Sequence, residues 1–220
     1  MTIKDLRSEH SSERVKITKV SIDLSIMLSS LDYVFSEMHK LEEVIPETEL
    51  ASCISSASET FRDCYCLKYL PDIDFSKIEN LSRCFCNCRS LESADLSTTK
   101  LASDMYGIFE NCIFLKEVKL NIENLSIGKN MFKNCSSLNS VEFYGELTVF
   151  DGIIDFQETA LSGEAFIRML KSLPNAINTP MIKCTRPDIV SELTEEDIKI
   201  MTDKNWRFNE DDNIREEIIL

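Results

Sequence analysis

Glycine and histidine are scarce in this 220-residue chain, which has five of the one and two of the other. Five glycines leave little material for a phosphate-cradling loop, and neither G-x-x-x-x-G-K-[ST] nor G-x-G-x-x-G occurs. Two histidines leave few bases for nucleophilic catalysis. His10 stands among charged residues, and His39 follows Met38 with no catalytic signature around it, so both read as surface residues. Basic charge is short as well: 24 Lys and Arg face 38 Asp and Glu, a net charge of −14, with no basic cluster. Such a chain repels nucleic-acid phosphates and anionic lipid. No apolar run approaches the roughly 18 residues of a membrane-spanning helix. The opening MTIKDLRSEHSSERVK lacks the apolar centre of a secretory signal. The expectation is a non-enzyme without cofactor, nucleic-acid partner or membrane insertion.

What the chain does have is a repeat. Phe35, Phe61, Phe85, Phe109 and Phe132 stand 26, 24, 24 and 23 residues apart. Three residues after each come Met38, Cys64, Cys88, Cys112 and Cys135; six after come Leu41, Leu67, Leu91, Leu115 and Leu138. Position +9 holds Val44, Leu70, Ala94, Val118 and Val141, and +11 holds Leu96, Leu120 and Phe143 in the last three. Leu28, Ile54, Ile78, Ala102 and Leu125 precede each Phe by seven, and Leu31, Ala57, Leu81 and Met105 precede the first four by four. Apolar residues at −7, −4, 0 and +3 predict a short helix, and the +9/+11 pair predicts a short strand with one face buried. One unit cannot bury its own face, but stacked units can, with strands about 4.8 Å apart in a parallel sheet. A period in the twenties with this frame predicts an α/β leucine-rich-repeat solenoid.

The remainder is read around that frame. Residues 1–14 are a charged arm, residues 15–145 about five repeats, 146–208 a C-terminal cap of the same solenoid, and 209–220 an acidic tail. Val20 and Ile22 make a strand before the first repeat. Pro46 and Pro71 fall at the first and second rungs, where a missing N–H should distort the ladder. Gly145 and Gly152 bracket LTVF, half a repeat or a hairpin. In the cap, strands are expected at 153–156, 181–184 and 205–208. Ser162 should start a helix over about 163–172, and Thr194 with Asp197 resembles a capping box for a second over about 195–203. This alternation would prolong the parallel sheet. The tail carries Ile218, Ile219 and Leu220 behind acidic residues, so it is either solvated or a docking peptide for a neighbouring subunit.

Nine cysteines suggest disulfides, but Cys64, Cys88, Cys112 and Cys135 share one inward position. There they act as small buried hydrophobes whose side chains run parallel, which is poor disulfide geometry. Cys84, Cys86 and Cys88 are one residue apart, whereas paired zinc ligands usually have two to four between them, so no metal site is expected. Asn80-Leu-Ser, Asn124-Leu-Ser and Asn134-Cys-Ser fit a glycosylation acceptor, which carries little without export.

Phe109 to Val118 and Phe132 to Val141 both read Phe-x-Asn-Cys-x-x-Leu-x-x-Val, and the stretch at Phe85 nearly so. With the leading Phe and the Cys ladder, residues 15–145 resemble the BspA-type leucine-rich repeat. That family includes bacterial surface antigens and modules of bacteriophage structural and tail proteins, mostly binding scaffolds without catalysis. Leu193-Thr-Glu-Glu-Asp-Ile together with Asn205-Trp206 resembles a segment that often follows such repeats in phage-encoded proteins. The resemblance implies a protein–protein interaction scaffold, a component of a phage particle (capsid, tail or host-contact apparatus) assembled in the host cytoplasm. The alternative is a bacterial cell-surface adhesin. Its partners would be neighbouring subunits or a host surface component. The surface for them is the outward sheet face at +7, +8 and +10, with Glu43, Tyr69, Asp95, Glu117, Lys119 and Glu142 as binding candidates.

Overall fold

The computed structural model describes residues 14–25 and 30–208. Leu28, the arm over 1–13 and the tail over 209–220 lie outside the described residues.

The repeat frame forms the core. Phe35, Phe61, Phe85, Phe109 and Phe132 are all buried and stack ring on ring, with consecutive centroids 5.0, 5.5, 5.9 and 6.4 Å apart. The stack then runs past residue 145: Phe156, 24 residues after Phe132, lies 5.3 Å from it.

Strands form where the +9/+11 alternation predicts them. β1 (Lys19–Ile22) pairs in parallel with β2 (Glu43–Pro46). β3 (Ser93–Leu96), β4 (Glu117–Asn121) and β5 (Ser140–Tyr144) make a second parallel sheet. Ala94, Val118 and Val141 sit in register and buried, as do Leu96, Leu120 and Phe143. Between the two sheets the second repeat has no strand. Pro71 lies there, buried, and supplies no ladder donor. Pro46, by contrast, keeps its place in β2 opposite Ile22.

The helices expected within the repeats are not formed among the described residues; consecutive turns take their place. The cause is an alternation in where the N–H groups go. Those of Leu81, Arg83, Phe85 and Asn87 donate to the carbonyls of Asp104, Tyr106, Ile108 and Glu110 in the next repeat, at 2.7–3.0 Å. The N–H groups between them close turns within their own repeat, as Cys84 to Leu81 and Cys86 to Arg83. The same four bonds link Leu31, Tyr33, Phe35 and Glu37 to the second repeat, and the second and fourth repeats onward in the same way. Positive φ at −2 (Tyr33, Glu59, Arg83, Gly107, Asn130) and at +2 (Glu37, Asp63, Asn87, Asn111, Asn134) reverses the backbone sense and stops any helix from propagating. A helix and this turn chain share the i, i+3, i+4 spacing; only the neighbours decide between them.

Ahead of the first repeat, Arg14 donates from its guanidinium to the Val34 and Ser36 carbonyls, both at 3.0 Å. These are the acceptors that a preceding repeat would engage.

The C-terminal elements match the sequence reading in kind but not in placement. α1 (Gly163–Ser172) starts at Ser162, whose hydroxyl accepts from the Ala165 N–H. α2 (Pro187–Val190) is a short addition, and α3 (Glu195–Asp203) opens on the Thr194/Asp197 capping box. β6 (Ile153–Asp155), β7 (Met181–Lys183) and β8 (Arg207–Phe208) form a parallel sheet of their own and do not prolong β3–β5. The reason is α1. It follows Phe156 where the next strand of the repeat would fall, buries Ala165, Phe166, Met169 and Leu170, and packs on β5. The Ser172 hydroxyl oxygen accepts the Phe143 N–H at 3.1 Å. LTVF is not a hairpin: Leu147 is buried and bridges in parallel to Ala176.

None of the nine cysteines is joined in a disulfide. The four ladder thiols each donate to the Phe carbonyl one repeat back, Cys88 to Phe61 at 3.1 Å and Cys112 to Phe85 at 3.0 Å. Burial pushes the Cys135 thiol up to about 12 and the Cys86 thiol up to about 11. Reaction of the native protein with a thiol reagent should therefore label exposed Cys53 and half-buried Cys66 first, and the other seven only after unfolding. Rapid labelling of all nine in the native state would contradict this packing.

Candidate functional site

The sheet β3–β5 presents a flat outward face built by strand alternation. Its first row is Ser93, Glu117 and Ser140, and its second is Asp95, Lys119 and Glu142. Four of the six expected residues thus share one face, with Lys119 between two carboxylates. Ser97 donates to Asp95 from its hydroxyl at 2.7 Å and its N–H at 3.0 Å, and these bonds hold the carboxyl below its ordinary range. A hydrogen bond to Glu142 raises the neighbouring Tyr144 phenol. Along one edge of this sheet Lys116 meets Glu92 at 3.1 Å.

The other two residues lie outside that sheet. Glu43 belongs to β2 and pairs with Lys19 on β1 at 2.7 Å. Tyr69 is 64 % exposed in the strandless second rung. Pro71, expected to share its face, is buried, because the alternation fails where the strand does.

A second surface, on the turns, is not evident from apolar spacing. The +2 residues form an amide ladder: Asn87 donates to Asp63 at 2.7 Å, Asn111 to Asn87 at 2.8 Å and Asn134 to Asn111 at 2.7 Å. Asn134 in turn donates its N–H to the Glu158 carboxylate at 2.8 Å. Beside the ladder, His39 stacks on Tyr65 at 4.6 Å and the Arg89 guanidinium lies 4.9 Å from the centre of the same ring. Ile113 and Phe114 are exposed next in line. The signal for the ladder was the Asn of Phe-x-Asn-Cys, a residue type that tolerates positive φ.

Neither surface converges a nucleophile, a base and an orienting group. The Cys84 thiol contacts Thr60 while that of Cys88 is held by the Phe61 carbonyl. Among the described residues there is no group of three or more His, Cys, Asp or Glu that could hold a metal ion, and no helix long and apolar enough to cross a membrane.

Parallel strands, stacked repeats and turn ladders define an α/β fold of leucine-rich-repeat type. Residues 31–162, more than half of the chain, match six copies of the BspA type leucine rich repeat region. The chain belongs to that family. No curated protein and no solved structure matches it.

Proposed function

We propose that this chain is a non-enzymatic protein–protein interaction module. Its repeats stack as a solenoid, and the outward face of β3–β5 receives a partner protein. The observation that carries the reading is the register of Asp95, Lys119 and Glu142 across three strands, with Glu117 beside them. This flat, alternately charged, largely acidic surface suits a partner with complementary charges. Tyr69 is the aromatic anchor at its proline-bearing end and Glu43 extends the acidic line.

The setting we favour is a phage particle, as part of its capsid, tail or host-contact apparatus. Support comes from the resemblance of the segment containing Leu193 and Trp206 to phage-encoded proteins. Membership of the BspA-type family supports a second setting, the bacterial cell surface.

A photo-reactive group at Glu117 should cross-link one discrete protein, and the same group at Lys171 on the exposed side of α1 should not. Reversing Asp95, Glu117 and Glu142 to Lys should weaken that association about tenfold or more while leaving folding intact. Equal capture from both positions, or no effect of the reversals, would remove the face from consideration. Co-sedimentation with purified particles rather than with cell envelopes decides between the settings.

A further inference from the structure

The turns build a groove that the β3–β5 face does not use. It measures about 670 Å³ and runs across the third, fourth and fifth repeats. The amide ladder lines it with Asn87, Asn111 and Asn134, and the +4 positions line it with Arg89, Ile113 and Ser136. A side-chain amide carries two N–H groups. In each of these asparagines one N–H donates along the ladder, at 2.7–2.8 Å, and the other has no partner among the described residues. Three unused donors therefore recur one rung apart, on side chains that are half-buried or exposed. Ile113 supplies an apolar patch, 37 % exposed. At one end the Arg89 guanidinium rests on the Tyr65 ring, and it has no ion-pair partner among the described residues. At the other end stands the Glu158 carboxylate, which accepts the Asn134 N–H.

We propose that this groove binds a proline-rich segment of a partner protein in the polyproline II conformation, with an acidic residue at the Arg89 end. Three observations select that occupant. The first is the row of donors without acceptors. A polyproline II chain has no internal hydrogen bonds, so all its carbonyls are free, whereas an α-helix spends its own on the next turn. The second is spacing. His39, Tyr65 and Arg89 follow one another at 4.6 and 4.9 Å, so two rungs cover about 9.5 Å. Polyproline II returns to the same face every third residue, after about 9.3 Å. Carbonyls three residues apart therefore meet Asn87 and Asn134. An extended strand returns after about 6.6–6.8 Å, out of step with one rung and with two. The third is charge. Arg89 and Glu158 are the two charged residues among those lining the groove, opposite in sign and three rungs apart. They set the direction of the segment, with its acidic residue on Arg89 and a basic one on Glu158. The pyrrolidine rings pack on Ile113, and the preformed conformation loses little chain entropy on docking. This contact is independent of the β3–β5 face.

The test titrates the isotope-labelled full chain with a hexapeptide in which aspartate and lysine flank four prolines, ends blocked, made in both orders. Its two charges lie about 15 Å apart, close to three rungs of about 4.8 Å. One order should shift the side-chain amide signals of Asn87, Asn111 and Asn134 saturably. It should bind at least fivefold more tightly than the same peptide with glycine in place of proline. Arg89→Glu should weaken that order at least fivefold and should instead favour a peptide with lysine at both ends, a reversal that lost packing alone does not give. Ile113→Asp should weaken binding severalfold, and Leu101→Ser, at an exposed apolar residue elsewhere, should not. The Lys reversals on β3–β5 should leave the peptide bound, which separates this groove from that face. No shift of the three amides at millimolar peptide overturns the proposal. So does equal binding of the glycine peptide, an unchanged preference in Arg89→Glu, or shifts centred on β3–β5. Shifts of the same amides with a linear hexasaccharide of N-acetylglucosamine and not with the peptide would overturn it too, and would make the groove a carbohydrate site.

Discussion

Phe109→Ala is expected to destabilise the protein by about 3–5 kcal/mol, the range for a large buried aromatic whose cavity cannot close. The ring lies between those of Phe85 and Phe132, 5.9 and 6.4 Å away, and is fully buried. Its backbone is fixed on both sides. Its N–H donates to the Met131 carbonyl, and its own carbonyl accepts from the Cys112 N–H and the Cys135 thiol. With the main chain held by both neighbours, the site cannot collapse and most of the vacated volume remains. Because each repeat is stabilised by the next, the loss should spread along the stack. Hydrogen exchange should accelerate in the turns around Phe85 and Phe132 more than in β1. Phe114→Ala is the control: that ring is 56 % exposed, five residues along the same repeat, and its removal should change stability by no more than about 0.5 kcal/mol. Denaturant unfolding measures both. Similar losses for the two would mean that the Phe stack is not the core.

The strands and the C-terminal helices were legible because each depends on local signals. Alternation places Val118 and Leu120 inward whatever lies beside them, and Ser162 or Thr194 with Asp197 marks a helix start within four residues. The turns were not legible in the same way. Apolar residues at −7, −4, 0 and +3 fit a helix and a run of turns equally, and the difference lies in bonds to residues 22 to 25 positions away. Asn at +2 gave a partial hint. Tyr33, Glu59 and Arg83 at −2 gave none, since nothing in those residue types favours the positive φ they adopt. The ladder on both sides holds them there. The stack at Phe156 was hidden because Thr159 replaces the Cys at +3 and a helix replaces the following strand.

On the candidate face, Asp95, Glu117, Lys119 and Glu142 came together because a period of two is robust inside an intact strand. The setting of Tyr69 was harder to foresee. Proline removes the strand, and with it the rule that assigns alternate residues to opposite faces, so Pro71 turns inward while Tyr69 stays out. A groove of about 480 Å³ beside β6 is lined by Ile127 and Phe150 from one stretch of chain and Lys183 from another, brought together by a sheet whose strands are widely separated in sequence.

The amide ladder makes a second strong prediction, in which backbone and side chain can be separated. Asn111 has φ +64°. Its side chain donates to Asn87 and accepts from Asn134, and its N–H donates to the Lys133 carbonyl at 2.8 Å. Asn111→Ala removes both side-chain bonds and places an ordinary Cβ residue in the left-handed region. Each half-exposed bond contributes about 0.5–1 kcal/mol net, and the left-handed conformation costs alanine about 1 kcal/mol or more, so a loss of about 2–3 kcal/mol is expected. Asn111→Gly removes the same bonds but tolerates positive φ, at the cost of a more flexible unfolded chain. It should lose about 1–2 kcal/mol. Denaturant unfolding of both variants therefore reads the backbone contribution as their difference and the ladder as what remains. If glycine is as damaging as alanine, the positive φ carries no strain at this position. If both are neutral, water replaces the amide bonds in full, and the Asn of Phe-x-Asn-Cys serves a surface role rather than the fold.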